Sequence, residues 1–238
     1  MKTVGGKAVL VYQFTKAGRL HGCSAERNQD SILSRQTEHD SIIALADGVS
    51  ECAEARRGAE IASESIVNFL LCPESYGGDI AKQALSVVLR ELECSAAKHQ
   101  KNVADYSSTF AAVRLGRNTG KLTVLNLGDG LILALRGERC RVLSMPGDSQ
   151  HGCACTTTRN AFRLVDVGEV DAAEVDAVII CSDGAWRLMY ERTRIKHQVR
   201  SMLLEADYRS LARYLENADG ADDCSFIVMD WKQERSAA

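Results

Sequence analysis

The chain has little of several things. Only two prolines, Pro73 and Pro146, occur in 238 residues, and there is no Pro/Gly/Ser-rich tract or internal repeat to divide it. Residues 1–238 therefore read as a single domain. No stretch approaches the roughly 18 uninterrupted apolar residues of a membrane span. The segment Met1 to Lys7 lacks an apolar h-region and a small-residue cleavage site, so secretion is not expected. Basic excess is missing too: the net charge is −3, which argues against a nucleic-acid partner. Arg56-Arg57 and the Arg187 to Arg200 stretch read as solvated faces of helices. Nine cysteines form an odd set without framework spacing, and Cys181 and Cys224 fall inside apolar runs, where a reduced thiol acts as a small hydrophobe. A reducing cytoplasm is the expected location. One catalytic signature is absent as well, the Gly-x-Ser-x-Gly elbow.

What is present is an apolar content of 45%, enough for a sizeable core, and a repeated way of ending strands. Ser41 to Ala46 runs into Asp47-Gly48, Leu122 to Gly128 into Asp129-Gly130, and Ala177 to Ser182 into Asp183-Gly184. Asp222-Asp223 stands just before the apolar run Cys224 to Met229. Any one Asp-Gly pair alone reads as a hairpin turn, because both residues tolerate positive φ. As a set they differ, since Gly48 and Gly184 lead into helical patterns. A carboxylate at the rim of a core is costly unless a cation or hydrogen bonds satisfy it. Four such ends with almost no basic residue beside them point to hard cations on oxygen ligands and to metal-assisted phosphate chemistry.

Periodicity places strands over residues 8–15 and 31–46 and a helix from Ala53 to Leu71. After a break from Cys72 to Gly78, Asp79 caps a second helix running to about Lys98. Residues 107–144 read as a meander of four short strands, 146–160 as an exposed loop, and 161–167 and 175–182 as strands. Helices are expected over 185–204 and 206–218, with a last strand at 224–231. Helices in adjacent pairs and strands in hairpin runs give an α+β class with antiparallel sheets.

The order Asn28-Gln29-Asp30, Ala46-Asp47-Gly48, Ser107-Ser108-Thr109, Gly128-Asp129-Gly130, Ser182-Asp183-Gly184 and Asp222-Asp223-Cys224-Ser225 resembles the metal-dependent Ser/Thr protein phosphatases of the PPM (type 2C) family. Ser50 and Gly58-Ala59 look like its small bacterial branch. The likeness runs from about Gly22 to Met229. It implies a sandwich of two antiparallel β-sheets flanked by pairs of antiparallel helices. It also implies two Mn²⁺ or Mg²⁺ ions, with Asp47 bridging them, the carbonyl of Gly48 touching one, and Asp183 and Asp222 holding the other. Asp129 with Asp183 would take a third ion. Asp30 would orient water from behind the ligands. The implied reaction is attack on phosphoserine or phosphothreonine by a bridging hydroxide, with the dications lowering the pKa of water. The implied partner is a phosphorylated protein, opposing a Ser/Thr kinase.

Three positions depart from the pattern. Gln29 stands where most of the family has a metal-holding glutamate, so the metal it faces should bind more weakly or through water. Ala25 occupies the place of the phosphate-binding arginine. Arg27 is near enough to take that role or to be a surface charge, and the sequence admits both. Val49 replaces a histidine proposed as leaving-group acid, which leaves protonation to water. Two rival readings follow, a catalytically weak phosphatase-like regulatory or binding module and a phosphatase for small esters. His151-Gly152-Cys153-Ala154-Cys155 lacks a second ligand pair at zinc spacing and reads as flap loop, and Thr156 to Thr158 read as turn caps. His21 reads as structural.

Overall fold

The computed structural model of the chain describes residues 3–4, 7–72, 78–147 and 153–231. Of the positions singled out above, Pro73, Gly77, His151 and Gly152 lie outside them. β1 (Thr3–Val4) and β2 (Lys7–Ala8) make a short hairpin, β3 (Leu10–Lys16) follows, and β4 (Asp30–Gln36) and β5 (Asp40–Asp47) make a longer one. Helices α1 (Ala55–Leu70) and α2 (Ile80–His99) come next. Then come β6 (Phe110–Gly116), β7 (Lys121–Leu127), β8 (Leu131–Arg136), β9 (Arg139–Ser144), β10 (Asp166–Asp171) and β11 (Ala177–Cys181). Helix α3 (Asp183–Met189), the small hairpin of β12 (Tyr190–Glu191) and β13 (Arg194–Ile195), α4 (His197–Leu204), α5 (Tyr208–Glu216) and β14 (Cys224–Asp230) complete the chain.

Side-chain alternation decides the layers. Successive residues of a strand point to opposite faces, so a strand apolar on both faces must be covered on both. On β5, Ile42, Ala44 and Ala46 join a cluster under α1 and α2, while Ile43 and Leu45 join a second cluster. On β11, Val178 and Ile180 join that same second cluster, while Ala177, Ile179 and Cys181 pack under α3, α4 and α5. The shared cluster is the seam between two antiparallel five-stranded sheets, ordered β10-β7-β6-β5-β4 and β3-β14-β11-β8-β9. This is the expected α+β sandwich. Among the described residues, no helix is long and apolar enough to cross a membrane.

The helix pair over the first sheet forms for local reasons. Ala59, Ala62, Ile66 and Leu70 of α1 are fully buried at helical spacing. The Asp79 carboxylate accepts from Lys82 N at 3.0 Å and caps α2 as expected.

Three expectations need correction. The helix expected over 185–204 is broken: α3 stops at Met189, and Arg192 adopts a left-handed φ of 56° at the turn of the β12–β13 hairpin. Tyr190, Thr193 and Ile195 favour strands over helix. The strand expected at 161–167 is a short 3-10 turn (Ala161–Arg163) followed by the six-residue strand β10, which starts at Asp166. β10 is an edge strand with a mostly polar sequence, so it escapes an apolar-pattern reading. The meander over 107–144 is two hairpins in different sheets, because Gly128-Asp129-Gly130 carries the chain from β7 across to β8.

Candidate metal centre

Register brings the aspartate-bearing ends together. Asp30 at the start of β4 is the direct partner of Asp47 at the end of β5. In the other sheet, Cys181 at the end of β11 pairs with both Leu131 and Phe226, so Asp129, Asp183 and Asp222 leave that sheet at one end. The crossing at residues 128–130 joins this end to the end of β7, and the two groups of carboxylates meet across the seam.

Local bonds fix each turn. Thr109 N donates to the Asp47 carbonyl at 2.8 Å, Asp47 N donates to Thr109 Oγ1 at 3.2 Å, and Val49 N donates to the Ser107 carbonyl at 3.0 Å. Gly128 has φ 114°, and a Cβ there would lie 2.5 Å from Thr109 Cγ2, so only glycine lets the crossing pass that close. A Cβ on Gly184 would lie 2.0 Å from the Asp223 carbonyl oxygen. Ser182 N donates to the Ser225 carbonyl at 2.9 Å and Ser225 N donates to Ser182 Oγ at 3.0 Å, which locks the start of α3 to the start of β14. The Trp186 indole donates to the Asp129 carbonyl at 2.8 Å.

The electrostatics are those of acids short of a cation. Burial, then the charges of Asp30, Asp183, Asp129 and Asp222, raise the Asp47 pKa well above the usual carboxylate range. Asp30 is pushed up to about 8, first by burial and then by Asp223 and Asp183; the hydroxyls of Ser225 and Ser182 offset only part of this. Neither Asp30 oxygen has a partner at hydrogen-bond geometry. Asp183 is raised to about 6 by burial and by Asp129, although the Arg187 guanidinium stands 2.7 Å from its Oδ2. Its Oδ1 is buried without a partner, as is Gln29 Oε1.

These oxygens fit a hard divalent cation, which would satisfy the orphaned atoms and relieve the repulsion. Among the described residues, no three acidic, histidine or cysteine side chains converge into a finished ligand cage. The donor set therefore fits in type and in place, with water or main-chain oxygen needed to complete it.

Gln29 and the exposed Arg27 meet at a cavity that none of the candidate aspartates lines. The cavity, of about 530 Å³, is also lined by His21, Arg56 and Arg57. Arg56 Nη1 donates to the Glu26 carbonyl at 2.6 Å, holding the 3-10 turn (Ala25–Arg27) that presents Arg27.

Sequence reasoning passed over Asp223. It is 1% exposed and accepts from Gly18 N at 2.7 Å and from Gln29 N at 2.6 Å. His21 Nδ1 lies 2.9 Å from its Oδ2, off hydrogen-bond alignment. Asp222 by contrast is half-exposed, and its Oδ1 accepts from Asp223 N at 2.9 Å. Arg187 is an exposed charge on α3, as expected, and it also pairs with Asp183. The i, i+4 spacing of the two was the available signal.

A family model described as Protein phosphatase 2C matches residues 17–218. The chain belongs to that family. It is a protein serine/threonine phosphatase. Among solved structures, a mutant bacterial serine phosphatase aligns with TM-score 0.69 at 13% identity, covering 94% of this chain and 99% of that one. A serine/threonine phosphatase, Stp1, from Staphylococcus aureus aligns at 0.68 and 13%, covering 97% of each. RsbX in complex with magnesium aligns at 0.59 and 17%, covering 93% of this chain and 94% of that one. At such identities the likeness speaks for the fold. No curated protein sequence matches the chain.

In this phosphatase the described part of the loop after Gly152 is docked rather than free. Thr156 is 1% exposed, its N donates to the Ser108 carbonyl at 2.8 Å, and its Oγ1 accepts from Ser108 N at 3.3 Å. Thr158 Oγ1 caps Cys155 N at 2.9 Å, and the Thr157 and Ser107 hydroxyls are hydrogen-bonded. The threonines thus tie the loop to the strand start that also holds Asp47.

Proposed function

We propose that this phosphatase hydrolyses phosphoserine and phosphothreonine on proteins at a binuclear Mn²⁺ or Mg²⁺ centre. Asp47, the Gly48 carbonyl, Asp183 and Asp222 are its ligands, and Asp129 with Asp183 takes a third ion. The observation that carries the reading is the set of mutually repelling aspartates with buried, orphaned oxygens on Asp30 and Asp183. The magnesium in RsbX, a protein of the same fold, supports the choice of ion. When bound, the cations make a water more acidic and stabilise charge developing at phosphorus.

The side chains do the rest. Asp30, opposite Asp47, accepts a hydrogen bond from the attacking water and aims it. Arg27 holds the phosphate oxygens from the charged cavity, and Gln29 offers one ion a neutral oxygen in place of a carboxylate. Val49 offers no proton, so bulk water protonates the leaving serine or threonine oxygen. The substrate is a phosphoprotein made by a Ser/Thr kinase, and the chain acts as one catalytic unit. Its nine cysteines, all free among the described residues, suit the cytoplasm.

Gln29 in the glutamate's place favours a second reading, a module with weak or no turnover. The two part on one measurement, hydrolysis of a phosphopeptide and of p-nitrophenyl phosphate with and without Mn²⁺. Metal-dependent turnover of the phosphopeptide supports the enzyme, and its absence at saturating Mn²⁺ leaves only the binding module.

A further inference from the structure

The centre has two unlike flanks. On the Arg27 side the cavity is walled by charge: His21, Glu26, Arg27, Glu54, Arg56 and Arg57 all line it. On the Asp129 side lies a second cavity, of about 550 Å³, with a different chemistry. Asp129 forms one end of it, and Leu131, Val142, Met145, Trp186 and Tyr190 form its walls. Leu131 is 2% exposed and makes a floor, while Met145 stands 66% exposed. Trp186 and Tyr190 meet edge to face, with ring centroids 6.1 Å apart at 89°. Trp186 is fixed by its bond to the Asp129 carbonyl, and Tyr190 by the β12–β13 hairpin that interrupts the helical run. Arg187 and Arg192 stand at the rim.

A rigid apolar cavity of this size is large enough for one big side chain. Exposing its wall to water beside a charged centre has no benefit for folding, since an exposed methionine contributes little to the core. We propose that this cavity receives an apolar side chain of the phosphoprotein substrate, a leucine, methionine or phenylalanine flanking the phosphorylated residue. The inference rests on the phosphatase reading above and adds a sequence preference to it. Asp129 lines the same cavity as Met145 and Tyr190, so a phosphoserine at the aspartates puts a residue flanking it within reach of that apolar wall. The arginines at the rim keep the peptide's acidic groups out of the apolar floor and favour them at its edge.

The test uses the whole chain with Mn²⁺ and a phosphoserine peptide of otherwise alanine sequence, with one leucine moved from four places before the phosphoserine to four places after it. p-Nitrophenyl phosphate, which has no flanking residue, serves as control. At one position leucine is expected to raise kcat/KM by about tenfold, the scale of burying one such side chain. Met145→Asp is expected to abolish that gain and leave p-nitrophenyl phosphate turnover unchanged. Equal rates at every position, or a gain that survives Met145→Asp, overturns the proposal while the phosphatase reading stands. A parallel fall of both substrates in Met145→Asp overturns it too, because the residue would then belong to the centre. Failure of the wild type on both substrates sinks the phosphatase reading, and this inference with it.

Discussion

Asp30 and Asp47 are direct cross-strand partners in the β4–β5 pair, two half-buried acids in adjacent strands where like charges ordinarily destabilise the pairing. The fold keeps them there, together with Asp129, Asp183 and Asp222, and the expected outcomes below follow from that tension.

Asp47→Asn or Asp183→Asn removes a ligand charge with little change of volume. Either is expected to lower Mn²⁺-dependent turnover by more than about hundredfold. Metal-free Asp47→Asn is expected to be at least as stable as the parent, because it relieves burial of an acid among four others. Thermal unfolding in EDTA beside a turnover assay separates the two effects. Near wild-type turnover at saturating Mn²⁺ would remove the residue from the centre.

The metal-free protein should lose stability as pH rises. Asp183 and Asp30 have folded-state values of about 6 and about 8, both above the unfolded value of about 3.9. Between those limits the native state binds more protons than the unfolded one. Their stabilising contribution is therefore complete below about pH 4 and is lost as pH climbs through 6 and then 8. A melting temperature that falls from pH 5 to pH 9 in EDTA, and recovers with Mn²⁺ at the alkaline end, is the expected result. A flat profile would contradict it.

Gln29→Glu should lower the Mn²⁺ concentration for half-maximal activity, since a buried orphan amide oxygen becomes a charged ligand. The titration reads this directly. No tightening would place the side chain away from the ions.

Arg27→Ala is expected to raise KM for a phosphopeptide by roughly tenfold, about 1.4 kcal/mol, with a smaller fall in kcat. Arg27→Lys should recover only part of the loss, because lysine lacks the planar two-point contact. Steady-state kinetics on the three proteins decide it, and an unchanged KM would make Arg27 a surface charge.

Asp223→Asn should destabilise the protein by about 3 kcal/mol, since two buried main-chain donors lose a charged acceptor. Denaturant unfolding of the metal-free form measures it free of any effect on catalysis. A change within experimental scatter would show that the asparagine oxygen suffices.

Asp47, Asp129 and Asp183 were legible because each follows an apolar run and precedes glycine, a local pattern. Asp223 was not, for its neighbour Asp222 carries the same letter, and its partners Gly18 and Gln29 lie about two hundred positions away. Ser182 and Ser225 escaped notice for the same reason, since their role is to bond each other across the sheet. The break after Met189 was locally signalled by Tyr190, Thr193 and Ile195, but helical spacing on both sides of it masked the hairpin. The crossing at Asp129 looks like any Asp-Gly turn until the sheets are known. Arg187 is the surface charge expected of it, and its pairing with the acid four residues before it adds to that role.

The dependence of the N-terminal loop on Asp223 also sets the order in which the enzyme can be made. β3 pairs only with β14 in its sheet, and Gly18, His21 and Gln29 gather around one carboxylate that precedes β14. During biosynthesis at about 5–20 residues per second, these early segments wait roughly ten to forty seconds for their anchor. A ribosome-bound chain halted before residue 223 thus carries Asp47 and Asp183 but cannot seat Gln29 and the Arg27 turn beside them. Prematurely terminated products that lack Asp223 and β14 are accordingly expected to lack phosphatase activity.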